Sequence, residues 1–322
     1  MKLTNFLSKY ALFIILAGLI AFFAWNSPFF LTTTNLITIT RQVAVIGICA
    51  VGMTFVILTG GIDLSVSSIL GVSAALAAWL MASGVHPVLA TLASLAAGVV
   101  FGLLNGFFIN QIGLPPLITT LGTMTALRGV VMLITEGRSI AVRVSEYRFI
   151  GQGSIGPIPV PVIIMIVMFA LGYVILEMTK FGRYVYGVGD NQEATRLSGV
   201  NVKKVKYAVY ALSGLLAALA GIVALSRLMS VQAITGQGLE LEIITAVVLG
   251  GVAITGGEGK ISLVIVGVLI MGVLENGMIH MNIDPFYQWI VRGGVLLLAV
   301  SYSKFMQSRR NKALTSQGAV AK

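Results

Sequence analysis

The residues of this chain that could do chemistry are a few ionisable side chains embedded in apolar sequence. They are Asp63, Arg128, Glu242, Glu275 and Arg292. A charge deep in a bilayer costs roughly 2.5–3.5 kcal/mol on insertion scales, so such groups usually face a bundle interior or a water-filled cavity. Either they line a pathway, or they pair with one another and hold the bundle together. For Asp63 a further interpretation is open, because it or Ser65 could cap the apolar helix that follows.

Other kinds of site find little support in the sequence. The chain has one cysteine, Cys49, and two histidines, His86 and His280, which lie far apart. This inventory favours neither a disulfide nor a thiolate or histidine metal site. The phosphate loop GxxxxGK[ST], the HExxH motif and the GxSxG elbow do not occur in the sequence. We therefore expect no enzyme and no cofactor in this chain, and active transport would need a separate motor.

Composition places the chain among membrane proteins. It is 57% hydrophobic and 10% charged, with a mean hydropathy of +0.98, whereas soluble domains carry about 25% charged residues. The net charge of +10 comes from lysines and arginines that fall mostly at segment boundaries and in the basic tail, residues 304–322. Membrane orientation explains such a distribution, so nucleic acid is not implied as a partner.

Hydrophobic segments predict an all-α, polytopic membrane protein formed by residues 1–322 as a single transmembrane domain. A span needs roughly 20 residues, and the candidate segments are 11–25, 43–59, 64–83, 87–109, 114–135, 157–176, 207–225, 241–256, 261–281 and 286–303. The count is about ten, or eight to ten because segment 241–256 is short. The stretch 27–40 is too polar to span and is predicted to be interfacial or to line a lumen.

Glycine is frequent inside these apolar segments. Paired glycines near polar residues predict broken or re-entrant segments; the pairs lie at 60–61, 250–251 and 256–257. A spacing of four residues predicts close helix packing, and it occurs at Gly98, Gly102 and Gly106. Thr59 to Gly71 also weakly resembles Thr255 to Gly267, a short match that suggests duplication.

Two long polar loops interrupt the apolar pattern. Loop 187–206 has a predicted Gly187-x-Gly189 turn, an amphipathic run from Asn191 to Leu197, a stop at Gly199 and three lysines. It is either a rigid knob for a partner or an ordinary cytoplasmic loop that obeys the positive-inside rule. Ten crossings from an inside N-terminus place it inside together with the tail. Loop 136–156 falls outside despite its arginines, so it is an external docking surface or a sign of a miscounted helix.

Several long runs resemble the permease subunit of monosaccharide ABC importers, the ribose-type and arabinose-type family. The runs are GMTFVILTGGIDLSVSSILG, LITTLGTMTALRGV, FGRYVYGVGDNQEATRLSGVNVKKVKYAVYALSGLLAALAGIVALSRLMS and the region from GLELEIITAVVLGG to IVRGGVLLLAV. They occur in the family's order and spacing from about residue 28 to residue 303. The similarity therefore covers nearly the whole chain.

The resemblance implies a multi-pass permease of the bacterial inner membrane, surrounded by lipid, with both termini cytoplasmic. It would form a homodimer or a heterodimer with a related permease, over an ATPase subunit that carries the ATP and Mg, and receive sugar from a periplasmic binding protein. The family's cytoplasmic coupling loop matches residues 187–206, with Gly189, Asn191, Glu193, Ala194, Arg196, Ser198 and Gly199. Thr195 departs from the Glu-Ala-Ala pattern of the family.

The resemblance does not assign the translocation path. A neutral polyol needs hydroxyl-matching donors and acceptors, and our candidates for a path or gate are Asp63, Asn105, Arg128, Glu275 and Asn276. The two asparagines could equally form interhelical hydrogen bonds, worth on average about 0.6 kcal/mol each. Two other functions stay open: the permease of a branched-chain amino acid ABC importer, and a motor-free channel or facilitator.

Overall fold

The computed structural model describes the backbone of residues 2–320 and the side chains of residues 10–302 and 304. Its helices are α1 (Lys2–Asn26), α2 (Thr33–Leu58), α3 (Val66–Ala82), α4 (Pro87–Phe107), α5 (Pro116–Thr135), α6 (Arg148–Gln152), α7 (Val160–Tyr173), α8 (Lys180–Asp190), α9 (Gln192–Leu197), α10 (Val202–Leu228), α11 (Leu239–Leu249), α12 (Ile261–His280) and α13 (Pro285–Val320). Short π-helical turns extend α4 over Phe108–Ile112 and α7 over Val174–Met178.

The all-α, polytopic fold is confirmed. The strands found in the described residues are two residues long, and they pair as β1 (Ile140–Ala141) with β4 (Ser230–Val231) and β2 (Ser154–Ile155) with β3 (Ile158–Pro159). Six described helices are long and apolar enough to span a membrane, and two shorter apolar helices lie at Tyr10–Asn26 and Val66–Ala82. The predicted count of about ten spans is therefore not confirmed.

Segment 241–256 does not form a spanning helix. Helix α11 ends at Leu249 after 11 residues, a length of about 17 Å at 1.5 Å per residue. It ends there because Gly251 has a left-handed backbone with φ 84°, which a glycine adopts without steric cost. Residues 252–260 are not helical, so the segment is broken as the glycine pairs predicted.

The stretch 27–40 is not a separate interfacial piece over its whole length. Residues 33–40 form the first turns of α2, a continuous helix of 26 residues. The side chain of Thr32 caps this helix by accepting from the Asn35 N–H. The hydroxyls of Thr38 and Thr40 donate to carbonyls of the preceding turn, so the helix satisfies these polar groups internally.

One expectation about the loops needs correction. Gly187 and Gly189 do not form a turn, because they lie inside α8, which runs to Asp190. Loop 136–156 contains one helix, α6, of five residues. The basic tail continues α13 to Val320, while residues 321 and 322 lie outside the described residues.

Helix α10 lies at the centre of the bundle and packs against α2, α3 and α4. Its contact with α4 depends on small residues. A Cβ at Gly98 would lie 2.5 Å from the Ala218 Cβ, and a Cβ at Gly102 would overlap the Tyr210 carbonyl oxygen. Gly106 meets Tyr207, so the two helices run antiparallel. The glycine spacing of four residues therefore sets a close helix contact, as predicted.

The two polar loops lie at opposite ends of α10. The helix has 27 residues, which corresponds to about 40 Å. The C-terminal end of α10 contacts loop 136–156. There the Val142 N–H donates to the Met229 carbonyl, and the Gly151 N–H donates to Ser226 Oγ. Its N-terminal end follows α9. The loops are thus separated by a distance comparable to a bilayer.

We predict that Gly102→Ala lowers the unfolding free energy by about 1–3 kcal/mol, the usual cost of overpacking, because the new methyl overlaps the Tyr210 carbonyl. Unfolding of the purified protein in mixed micelles, followed over an SDS titration, measures the loss. Gly18→Ala is the matched control, since its Cβ meets nothing within 4 Å. Equal stability of the two variants would contradict the close packing of α4 on α10.

Candidate functional site

A buried polar network surrounds Asp63, between α2 and α3. Its carboxylate accepts from the Ser65 N–H at 3.0 Å, the Ser65 hydroxyl at 2.6 Å and the Ser213 hydroxyl at 2.8 Å. Asn105 donates to the Ser65 hydroxyl at 2.8 Å, and Thr123 donates to the Asn105 carbonyl oxygen at 2.7 Å. We call these five residues the Asp63 network. It joins α3, α4, α5 and α10.

The Asp63 network lies in the interior of the bundle. Asp63, Asn105 and Ser213 have no exposed surface, whereas Thr123 is half-buried on α5. Asp63 forms no ion pair among the described side chains, so hydroxyl and amide donors stabilise it. Its bonds with Ser65 hold the turn before α3, where Ser65 occupies the N-cap position but its side chain makes no capping hydrogen bond. The structure thus brings together two of the five candidate path residues, Asp63 and Asn105.

Arg128 lies apart from this network. It contacts Ser67 Oγ at 3.3 Å, the Gly236 carbonyl at 3.3 Å and the Thr235 carbonyl at 3.4 Å, and pairs with Glu240 at 3.6 Å. These contacts tie α5 and α3 to the loop that precedes α11. The Arg128 guanidinium therefore connects α5, α3 and the loop that precedes α11.

A second charged cluster joins α2, α11, α12 and α13. Arg292 donates to Glu275 Oε1 at 2.6 Å and also pairs with Glu242. The other Glu275 oxygen accepts from Gln42 at 2.5 Å. Side-chain exposure is 2% for Glu242, 17% for Glu275 and 19% for Arg292. We call Gln42, Glu242, Glu275 and Arg292 the Arg292 cluster.

Asn276 follows Glu275 but points to a different partner. Its amide exchanges two hydrogen bonds with Asn35, each 2.9 Å long, and both residues are buried. The candidate path residues therefore fall in four places: the Asp63 network, Arg128, the Arg292 cluster and this amide pair. The interpretation that intramembrane charges pair with one another holds for Arg128, Glu242, Glu275 and Arg292.

Sequence reasoning missed several partners in these groups. Ser213 and Thr123 are the hydroxyls that reach Asp63 and Asn105, and Gln42 and Glu240 complete the charged contacts. Serine and threonine in an apolar helix carry a weak signal, because they often bond only to their own helix backbone. The available signal was the presence of a polar residue within each of these apolar helices, which suggests that those residues face one another in the bundle interior.

The segment from α8 to α10 is built from capped short helices. The side chain of Asn191 accepts from the Ala194 N–H and starts α9, while Ser198 donates to the Ala194 carbonyl. Gly199 then ends the helix with φ 84°. α9 contains no buried residue. It therefore protrudes from one end of the bundle as a short, well-defined helix.

An exposed ion pair lies on α9. Arg196 donates two hydrogen bonds to the Glu193 carboxylate, at 2.5 and 2.9 Å. These hydrogen bonds lower the pKa of Glu193 and raise that of Arg196. Both side chains are more than half exposed, so the pair adds little stability on its own. It is available to a partner.

No group of three or more His, Cys, Asp or Glu side chains suited to a metal ion occurs among the described residues. The comparisons with known proteins point instead to transport. Residues 35–300 match the family described as branched-chain amino acid transport system / permease component. The chain belongs to this permease family. The permease is the membrane-spanning subunit of an ATP-binding-cassette importer, a transport component and not an enzyme.

The curated relatives of the permease are import proteins of similar length. It is 45% identical to the ribose import permease protein RbsC of Bacillus subtilis (strain 168) over 93% of this chain and 91% of the relative. The L-arabinose and D-allose transport system permease proteins of Escherichia coli (strain K12), AraH and AlsC, are 36% and 35% identical over 94% of this chain and 92% and 93% of theirs. No solved structure matches. The permease is thus a multi-pass protein of the inner membrane.

We predict that Arg292→Met lowers the unfolding free energy by about 3–5 kcal/mol, the usual cost of leaving a buried charge without its partner. Here two carboxylates, those of Glu242 and Glu275, would lose their shared cation. The same SDS titration in mixed micelles measures this loss. The triple variant Arg292→Met/Glu242→Gln/Glu275→Gln removes the charges as well and should recover most of it. If the single variant were as stable as the wild type, the Arg292 cluster would not hold the bundle.

Proposed function

We propose that this permease imports a monosaccharide, a pentose or hexose, with ribose the first sugar to test. The observation that carries the proposal is the 45% identity with a ribose import permease, against 36% and 35% for the arabinose and allose permeases. The family description names branched-chain amino acids, but these relatives transport sugars by name. The length of the alignments supports extending their class of substrate to this chain.

The sugar is delivered by a periplasmic binding protein and the movement is driven by a separate ATPase, which binds the ATP and Mg. The permease pairs with a second copy or with a closely related permease. The coupling surface is the segment 187–206, with Gly189, Asn191, Glu193, Ala194, Arg196, Ser198 and Gly199 as its coupling residues. The exposure and capped geometry of α9 support this role, because a short, rigid helix moves as one body when a partner displaces it.

The binding protein docks at the opposite end of the bundle, on loop 136–156. Arg138, Arg143 and Arg148 are exposed there beside Glu136 and Glu146, and the three arginines can pair with carboxylates of an acidic partner. The loop is fixed to the bundle by the antiparallel pairing of β1 with β4 and by the bonds to Ser226 and Met229. This assignment places both termini and segment 187–206 on the cytoplasmic side, and loop 136–156 on the outside.

The sugar passes beside the polar groups of the bundle. Asp63, Asn105, Arg128, Glu275 and Asn276 line the path or its gate. Asp63 and Asn105 are fully buried in the structure, so Thr123, which is half-buried, is where a sugar hydroxyl first meets the Asp63 network. The network satisfies its own donors and acceptors, and it therefore competes with the sugar and binds it weakly. Weak binding favours release to the cytoplasm.

The central test is uptake by proteoliposomes that contain this permease with its ATPase and binding protein. Ribose, arabinose, allose, glucose and leucine are supplied as radiolabelled substrates. We expect ATP-dependent uptake of one sugar and no uptake of leucine. Uptake of leucine alone would assign the permease to branched-chain amino acids. Sugar uptake that persists without ATP would mean a motor-free facilitator.

We predict that Glu193→Ala combined with Gly199→Val lowers ATP-dependent uptake roughly tenfold or more, within the usual range of coupling between sites. The first change removes the ion pair of α9, and the second forces a branched residue into a left-handed backbone. Lys180→Ala, also exposed but outside the segment 187–206, should keep full uptake. Undiminished uptake by the double variant would contradict the assignment of α9 to coupling.

A further inference from the structure

The C-terminal end of α8 is pressed against two turns of identical sequence. The first turn is Thr59–Gly61, after α2, and the second is Thr255–Gly257, in the loop before α12. The Gly257 N–H donates to the Leu58 carbonyl at 2.9 Å, which joins the turns directly. A Cβ at Gly189 would overlap the Leu58 carbonyl oxygen and the Gly257 nitrogen. Three pieces of backbone therefore meet with no side chain between them.

Conformation requires glycine at Gly60, space requires it at Gly189, and both require it at Gly256 and Gly257. Gly60, Gly256 and Gly257 have φ values of 76°, 86° and 75°. A Cβ at Gly256 would lie 2.7 Å from the Gly60 nitrogen and 3.0 Å from the Gly189 Cα, and one at Gly257 would lie 2.8 Å from the Asp190 Cα. We call the meeting of Gly60, Gly256, Gly257 and Gly189 the glycine contact.

The glycine contact is stiff, because it has no side-chain rotamers that could absorb a displacement. Packed protein interiors transmit strain for the same reason. On one side, α8 is followed by a single residue, Asn191, and then by α9. On the other side, the first turn leads within two residues from Gly61 to Asp63 and its network. A Cβ at Gly61 would lie 2.6 Å from the Tyr210 hydroxyl, so this turn is also fixed against α10.

We propose that the glycine contact is the linkage through which movement of α9 reaches the Asp63 network. The end of α8 and both turns move as one rigid body when the ATPase acts, and Gly189, Gly256 and Gly257 are positioning residues for this movement. The inference rests on the proposed function, since it requires a motor that acts on α9. It adds the route by which that motion enters the membrane domain.

The first test asks whether Gly189 is needed to transmit movement or only for the permease to assemble with the ATPase. Gly189→Ala places a methyl in the glycine contact and leaves the exposed face of α9 unchanged. We expect the complex with the ATPase to form at the wild-type ratio, and ATP hydrolysis to continue without stimulation by the binding protein. Sugar uptake should fall roughly tenfold or more. Gly18→Ala, whose Cβ meets nothing within 4 Å, is the control and should behave as the wild type.

Two results of this test would overturn the proposal. One is wild-type uptake by Gly189→Ala. The other is a parallel loss of uptake, hydrolysis and ATPase binding, because that result would describe a merely structural role.

The second test does not depend on the first variant folding. Asp190 and Glu258, the residue after Gly257, are both exposed, so the variant Asp190→Cys/Glu258→Cys adds no atom inside the glycine contact and can be joined by a short bis-methanethiosulfonate cross-linker. The native Cys49 is buried. If both sides move together, the cross-linked variant keeps the ATP-dependent uptake that it has before cross-linking. Uptake that is lost on cross-linking and restored by reductant would overturn the rigid linkage.

The failure of the linkage can be told from the failure of the proposed function. The wild-type complex is measured first in the same vesicles. Uptake that needs no ATP in the wild type contradicts the proposed function itself. ATP-dependent uptake in the wild type together with unaltered coupling in Gly189→Ala contradicts the linkage alone.

Discussion

Close approach of backbones around α10 is the constraint on which the structure depends. Lipid tails are as apolar as leucine, so helices in a membrane do not associate through a hydrophobic driving force; they associate through close packing and hydrogen bonds. Gly98 and Gly102 let α4 approach α10 until side chains no longer separate them, and Gly221 does the same for α3 at Leu70. The central helix is thereby fixed on two sides, and the remaining elements are arranged about it.

This close packing allows polar groups to be buried, because it brings their hydrogen-bond partners within reach. Where helices touch closely, a serine or asparagine on one helix can reach a carboxylate on another, as Ser213 reaches Asp63 and Asn105 reaches Ser65. The broken segments follow the same rule, since non-helical backbone at membrane depth is tolerated where protein buries it. The turns at Gly60 and Gly257 meet each other and α8, and the Gly257 N–H is satisfied there by the Leu58 carbonyl.

The sequence predicted the class of fold and the permease family, but only part of the geometry. Glycine spacing predicted that α4 packs closely against another helix, because small residues four apart allow close approach, but it did not identify α10 as that helix. The Gly-x-Gly pattern wrongly predicted a turn at Gly187 and Gly189, which lie in helix α8. Glycine is needed at Gly189 because a Cβ there would overlap the carbonyl oxygen of Leu58, a residue distant in the sequence. A local sequence pattern carries no information about a neighbour that is distant in the sequence.

The candidate path residues show the same limit. Intramembrane charges are conspicuous in the sequence, but their partners are not, so five residues were candidates for one path although Glu275 and Asn276 face Arg292 and Asn35 respectively. Thr38 and Thr40 made the start of α2 appear too polar for a spanning helix, because hydropathy counts a hydroxyl without asking whether the helix satisfies it. Pairing in three dimensions was the missing information in both cases.

The proposed mechanism depends above all on a motor that acts on the end of the bundle that carries α9. The most direct measurement is a cryo-electron microscopy structure of the permease in complex with its ATPase and binding protein. We expect residues 191–199 to be buried in a cleft of the ATPase and the binding protein to cover loop 136–156. An ATPase docked at the opposite end, or an α9 left exposed in the assembled complex, would contradict this mechanism.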